Sequence, residues 1–185
     1  QKANEITSTV SQTYTTKSEF NNLQIGGKNL LLDSKRETTN NGYCIDAFRP
    51  TELFEVGENY TVSICITPAN GVDYILPFIS EGYKPISNGL VVNGATKQVI
   101  SRTFTFDGYV SDRVPVDTSD SNAAVQFYRF PNDGTVTSNS TLHWVKIEKG
   151  AKATDWTPAP EDVQGQIDAT NNNLATNYST TSQMN

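Results

Sequence analysis

The sequence predicts an all-β fold, an antiparallel two-sheet jelly-roll sandwich flanked by short polar helical, coiled-coil-like segments. Three observations carry that expectation. Between Gly26 and Pro160 the apolar residues fall in short alternating runs separated by turn residues, the period of half-buried strands. The same stretch shows no run of helical period. Outside it the composition changes: 14 of the first 25 residues and 14 of the last 25 are Ser, Thr, Asn or Gln. Three segments follow: a polar helical or linker segment over 1–25, a β-sandwich module over 26–160, and a polar helical segment over 161–185.

The strands can be taken in order. After the Gly26-Gly27 turn, Leu30 to Asp33 reads as a first strand, and Gly42 to Phe48 as the next, stopped by Pro50. Asn59 to Thr67 alternates cleanly, with Tyr60, Val62, Ile64 and Ile66 on one face. Val72 to Ser80 follows across Asn70-Gly71, a hairpin signal, and its Pro77 indicates an edge strand or a bulge. A loop over Asn88 to Gly94 leads to Gln98 to Phe106, then Ala123 to Phe130, and a last strand from Leu142 to Glu148. Seven or eight such strands make an antiparallel sandwich or barrel, with the jelly roll preferred.

The flanks are alike down to register. Tyr14 to Asn21 aligns with Tyr178 to Asn185, matching Tyr, Thr, Ser and Asn at four positions and pairing apolar Phe20 with Met184. A head that recurs at the tail reads as one period of a longer array. In the C-terminal flank, Val163, Ile167, Thr170, Leu174, Asn177, Thr181 and Met184 alternate by four and three, the seam of a coiled coil. Ile6, Val10, Thr13, Lys17 and Phe20 give a weaker version in the N-terminal flank. Helices this polar need several chains held together.

Composition removes several function classes. The net charge is -6 and the pI about 4.7, with no basic cluster to bind phosphates or an anionic surface, so neither nucleic acid nor membrane is expected as a partner. No apolar run reaches the roughly 18 residues that span a bilayer, and Gln1 to Glu5 lack the apolar core of a signal peptide. Cys44 and Cys65 lie in separate strands and read as buried free thiols, with no metal-site spacing around them.

Two motifs frame the module. Gly26-Gly27-Lys28-Asn29-Leu30-Leu31-Leu32 opens it. Trp144-Val145-Lys146-Ile147-Glu148-Lys149-Gly150, followed by Ala153-Thr154-Asp155-Trp156-Thr157-Pro158-Ala159-Pro160-Glu161-Asp162, closes it. Together they resemble the carbohydrate-binding-type jelly-roll modules of tail fibres, receptor-binding proteins and baseplate proteins of phages infecting Gram-positive bacteria. The polar flanks are similar to the repeats of the same proteins. The resemblance implies a virion protein at the tail tip, fibre or baseplate, assembled as a homotrimer through the flanking segments, with other tail proteins and bacterial cell-wall or surface polysaccharide as partners. It also implies that the two framing motifs serve the fold, with Trp156 plugging the end of the sandwich.

Candidate chemistry points to binding. A glycosidase needs two carboxylates set across its substrate, and no motif selects a pair among the acids. His143, the one histidine, shares strand parity with Val145 and Ile147 and reads as a satisfied sheet residue. No nucleophile elbow, phosphate loop or zinc motif occurs, and no enzyme is expected. Saccharides are recognised by flat rings that cover the apolar face of a pyranose, with planar polar groups on its hydroxyls. If Val145 and Ile147 face the core, Trp144 faces outward; if Val125 and Phe127 do, so does Tyr128. Tyr74 and Asp73, with Tyr83 beyond the strand end, complete a rim, and Arg49 and Arg129 supply donors. The saccharide-site expectation is therefore Trp144, Tyr128, Tyr74, Tyr83, Asp73, Arg49 and Arg129. No cofactor is expected, although a structural calcium near Asp33 and Asp155 is compatible with the oxygen donors there. The rival readings are a ligand-free spacer module of the fibre and a carbohydrate-binding module of a secreted bacterial glycanase.

Overall fold

The computed structural model describes residues 27–182. The polar segment 1–25, its seam and its repeat with the end of the chain lie outside the described residues. Among the described residues nine strands form two antiparallel sheets. They are β1 (Thr38–Asn40), β2 (Cys44–Phe48), β3 (Asn59–Thr67), β4 (Tyr74–Ile79), β5 (Lys84–Pro85), β6 (Leu90–Val91), β7 (Gln98–Thr105), β8 (Val125–Phe130) and β9 (Ser140–Lys149). One sheet runs β1-β9-β3-β7; the other runs β2-β8-β4-β5, with β6 also paired to β4. Among the described residues one α-helix, α1 (Pro160–Ser182), follows β9.

The core is made by strand alternation on both sheets. Tyr60, Val62, Ile64 and Ile66 of β3, Val145 and Ile147 of β9, Ile75 and Ile79 of β4, and Val125 and Phe127 of β8 are fully buried in one apolar cluster. The expected strand over 59–67 and the inward parity of Val125 and Phe127 are thus both found. Pro77 lies inside a strand that is not an edge: β5 pairs with Phe78 and Ile79, and β6 with Tyr74 and Ile75. The missing N–H therefore falls opposite the gap between two short strands, where the ladder is already broken.

Three expectations are corrected. Leu30 to Asp33 is not a strand. Leu31 makes one isolated bridge to Pro50, and the chain then turns through Asp33, whose φ of 51° is left-handed. The segment is still tied to the closing strand, because Leu30 N–H donates to the Ile147 carbonyl at 2.7 Å. Second, the pairing of β3 with β9 shifts register opposite Cys65 and Ile66. Leu142 and Val145 are both buried, so a bulge at His143 and Trp144 turns both of these outward; His143 does not share the inward face of Val145. Third, Trp156 is outside the apolar core. It is half-buried and donates through Nε1 to Ser34 Oγ at 3.3 Å, while the residue of this stretch with no exposed surface is Ala159.

A strap from Gly150 to Ala159 crosses the outer face of the first sheet. Its fastening is polar. Thr61 Oγ1 donates to the Gly150 carbonyl at 2.8 Å and Thr103 Oγ1 to the Ala151 carbonyl at 3.2 Å. Beneath it lie Lys146 and Glu148, with 0% and 1% of their side chains exposed and 3.2 Å between Nζ and Oε2. Lys146 Nζ donates to Thr154 Oγ1 at 2.6 Å and to the Asp155 carbonyl at 2.8 Å. Glu148 accepts from the Thr154 N–H at 2.8 Å and from its hydroxyl at 2.6 Å. Gly27 completes the arrangement by donating its N–H to Thr154 Oγ1 at 3.1 Å. It must be glycine, since a Cβ there would sit 1.9 Å from Glu148 Oε2.

The strap ends at α1, which starts with Pro160 where a missing N–H costs nothing and carries Glu161 and Asp162 in its first turn, where acids suit the helix dipole. Lys28 pairs with Glu161 at 2.6 Å. The points where the chain comes into and leaves the sandwich are therefore stitched together. The stripe of Val163, Ile167 and Leu174 is exposed along the helix.

Removing one charge from beneath the strap leaves the other buried without its partner, at a cost of about 3–5 kcal/mol. Lys146→Met is expected to lower the urea midpoint by a corresponding amount. Lys146→Met with Glu148→Leu is expected to recover most of it, as read by equilibrium denaturation.

Candidate ligand-binding face

The outer face of the second sheet carries a continuous aromatic strip. In β4 and β8 the inward residues alternate with half-exposed Tyr74, Leu76 and Phe78 and with Gln126, Tyr128 and Phe130. Register puts Tyr74 beside Phe130 and Leu76 beside Tyr128. Tyr43, just before β2, packs between the two β8 rings. Ring centroids are 4.9 Å apart for Tyr74 and Phe130, which are parallel within 9°. They are 5.2 Å apart for Phe130 and Tyr43, 4.8 Å for Tyr43 and Tyr128, and 5.0 Å for Tyr128 and Phe78. Stacked and edge-to-face packing of this kind holds the rings in fixed orientations, so the face is preorganised.

Loops bound the strip on its β5 and β6 side. After β4 the backbone makes three consecutive left-handed residues, Ser80, Glu81 and Gly82, with φ of 54°, 56° and 83°. Two of them are not glycine, a strained arrangement that persists only where the surroundings enforce it. They do so here: Ser80 N–H donates to the Asn122 carbonyl at 2.9 Å, and Glu81 pairs with Arg113 at 2.7 Å. The result brings Gly82 so close to Tyr128 that a Cβ would lie 2.5 Å from its hydroxyl. Along the other rim, Gly89 lets the loop before β6 approach Tyr74, where a Cβ would meet the ring at 2.5 Å. Between Tyr74, Leu76 and the Ser87-Asn88 loop lies a hollow of about 330 Å³.

The face is uncharged near neutrality. Burial pushes the Tyr43 and Tyr128 hydroxyls above the ordinary tyrosine range, with neighbouring Cys44 adding to it. Burial also raises the Cys44 thiol, partly opposed by its hydrogen bond with Tyr128. The polar groups offered to a ligand are the Tyr128 hydroxyl, which donates to Gln126 Oε1 at 3.2 Å, and the exposed Asn88.

The seven residues expected from sequence are placed in different parts of the molecule. Tyr74 and Tyr128 lie on this strip. Asp73 is exposed directly before Tyr74. Tyr83, 65% exposed, stands at the rim with the Arg113 guanidinium 3.8 Å from its ring centre. Trp144 is half-buried on the outer face of the other sheet, opposite Cys65. Arg49 is engaged by the carbonyls of Thr118 and Ser119. Arg129, 6% exposed, gives its guanidinium to the carbonyls of Asn41, Gly42, Pro131 and Val136 and fastens two loops. Tyr43 and Phe78 were not singled out from sequence; Phe78 shares the parity of Tyr74, which was the available signal.

His143 is satisfied on both nitrogens, by Glu37 at 2.7 Å and Thr67 at 2.9 Å. Of the residues suggested for calcium, Asp33 takes its contact from Asp162, whose carboxylate accepts the Asp33 N–H at 3.0 Å. The Asp155 carbonyl is used by Lys146. Among the described residues, no group of three or more His, Cys, Asp or Glu could hold a metal ion.

No protein-family model and no curated protein matches the chain. Solved structures do. One is the tripod (BppUct-A-L) from the baseplate of bacteriophage Tuc2009, at 14% identity and a TM-score of 0.43, covering 74% of this chain and 60% of that one. Another is the Clostridium thermocellum endo-1,4-β-D-xylanase 10B, as its CBM22-1 and GH10 modules complexed with xylohexaose. The match is at 8% identity and a TM-score of 0.38, covering 72% of this chain and 30% of that one.

The raised tyrosines give a pH dependence. An unfolded tyrosine ionises near 10.0, whereas buried Tyr60 and half-buried Tyr43, Tyr109 and Tyr128, raised chiefly by desolvation, keep their protons to higher pH. Above pH 10 the unfolded state therefore binds fewer protons, and stability falls as pH rises from there through the raised values. Phenolate absorbance is expected to show a late-titrating group of tyrosines, with a melting temperature that declines over the same interval.

Proposed function

We propose that the sandwich is a non-catalytic saccharide-binding module of a phage tail fibre, receptor-binding or baseplate protein, engaging host surface polysaccharide during adsorption. The observation that carries the binding assignment is the strip from Tyr74 through Phe130, Tyr43 and Tyr128 to Phe78. It is fixed by mutual packing, half-exposed and uncharged, and edged by Gln126 and Asn88. Such a face covers the apolar side of pyranose rings and leaves hydroxyls for the polar edge. Asp73 and Tyr83 extend it at its two ends.

The virion setting rests on the framing motifs and the polar flanks of the sequence. In this reading residues 26–160 are a jelly-roll module, and segments 1–25 and 161–185 join three copies through the seam that includes Val163, Ile167 and Leu174. A single strip binds weakly, and three presented together raise avidity without any new contact. Saccharide recognition of this kind requires no catalytic group and no cofactor.

Tyr74→Ala and Tyr128→Ala are each expected to weaken binding to purified wall polysaccharide by on the order of tenfold or more, with unchanged circular dichroism. Trp144→Ala, on the opposite face, is expected to bind as the parent does. A ligand-free spacer would instead show no polysaccharide binding in the parent protein. Light scattering on the chain is expected to give the mass of a trimer.

A further inference from the structure

A groove of about 590 Å³ lies where the chain leaves the sandwich, larger than the hollow on the aromatic strip. Its floor is the half-exposed indole of Trp156 with Pro158 beside it. The indole is held by its hydrogen bond to Ser34, so its orientation is set by the fold. One wall is the turn from Asp33 to Arg36; the other is the first two turns of α1, through Asp162 and Gln166. This volume is in the range of sites that enclose a small ligand.

The polar groups around the floor divide into two sets. Arg36 is committed to Asp46 at 2.6 Å, and Asp162 to the Asp33 N–H. The side chains of Asp33, Lys35 and Gln166 have no hydrogen bond or ion pair among the described residues, although Lys35 Nζ hovers 5.0 Å from the Trp156 ring centre. The groove thus offers an acceptor, a donor and an amide with both capacities around an aromatic plane. Two cations and two carboxylates balance in charge, which disfavours a strongly charged ligand. An uncharged, hydroxyl-rich ring with one apolar face matches that set.

We infer that this groove is a second saccharide site, for a neutral pyranose oligosaccharide, separate from the aromatic strip. Trp156 supplies the stacking surface, and Asp33, Lys35 and Gln166 take the hydroxyls. The Lys35 side chain must lift from the indole for the ring to be covered on that side, and its long stem permits this. The site is carried by the strap and the helix, whereas the strip is displayed on the second sheet.

The test uses the fact that the chain has two tryptophans. In a Trp144→Phe protein, emission reports Trp156 alone. Titration with cellotetraose and with tetra-N-acetylchitotetraose, as neutral probes, is expected to give a saturable change at millimolar concentration with at least one of them. The same probe is expected to bind roughly fivefold or more weakly in Lys35→Ala and in Gln166→Ala, neither of which lies in the core. It is expected to bind equally well in Tyr74→Ala and Tyr128→Ala. A trigalacturonate probe is expected to bind less well than the neutral one. Absence of any emission change with both neutral probes would overturn the assignment. So would a response that survives Lys35→Ala together with Gln166→Ala, one abolished by the Tyr128→Ala change, or a preference for trigalacturonate. The strip can fail its own binding test while Trp156 still responds, so the two readings stand or fall separately.

Discussion

Lys146 and Glu148 stand two residues apart on the outer face of β9, and two charges cannot stay buried on a sheet face without partners. Their partners come from the strap. Thr154 donates to Glu148, accepts from Lys146 and also accepts the N–H of Gly27, so one hydroxyl joins the opening of the module to its closing. This arrangement decides which surfaces are free. It engages the outer face of the first sheet at Thr61, Thr103, Lys146 and Glu148, on what would otherwise be a solvent face. Among the described residues the second sheet has no such cover, and its outer face is where half-exposed rings collect.

The same fastening sets the geometry of the chain ends. Lys28 reaches Glu161 and Asn29 reaches the Thr157 carbonyl, so the strap and α1 are positioned by residues at the opening of the module. The groove at Trp156 lies at that junction and the aromatic strip lies on a sheet face, an arrangement that would let one module touch a polysaccharide at two places.

Much of this was legible in the sequence where alternation was long and unbroken. Asn59 to Thr67 is β3 as expected, and Val125 with Phe127 did face inward, leaving Tyr128 on the open face. Errors arose where local pattern meets tertiary constraint. The bulge at His143 and Trp144 places two neighbours on one side of β9, which a strict period of two cannot express. Strands β5 and β6 have two residues each, too short to alternate, and they emerge only because β4 offers them an edge. Arg129 shares parity with Val125 and Phe127, so the inward face already contained it. Its guanidinium is tolerated there because four carbonyls accept its hydrogen bonds. The resemblance cast Trp156 as a core plug; it is Ala159, at the end of the strap, that is fully buried, and the indole is left on the groove.

The central assertion is that polysaccharide meets the open face of the second sheet. It is tested most directly by chemical-shift mapping of isotope-labelled protein during titration with a soluble host wall polysaccharide fragment. The expected result is perturbation concentrated at Tyr43, Tyr74, Phe78, Tyr128 and Phe130, with Cys65 and Trp144 unmoved. Perturbation confined to the strap-covered sheet, or none anywhere at millimolar fragment, would contradict it.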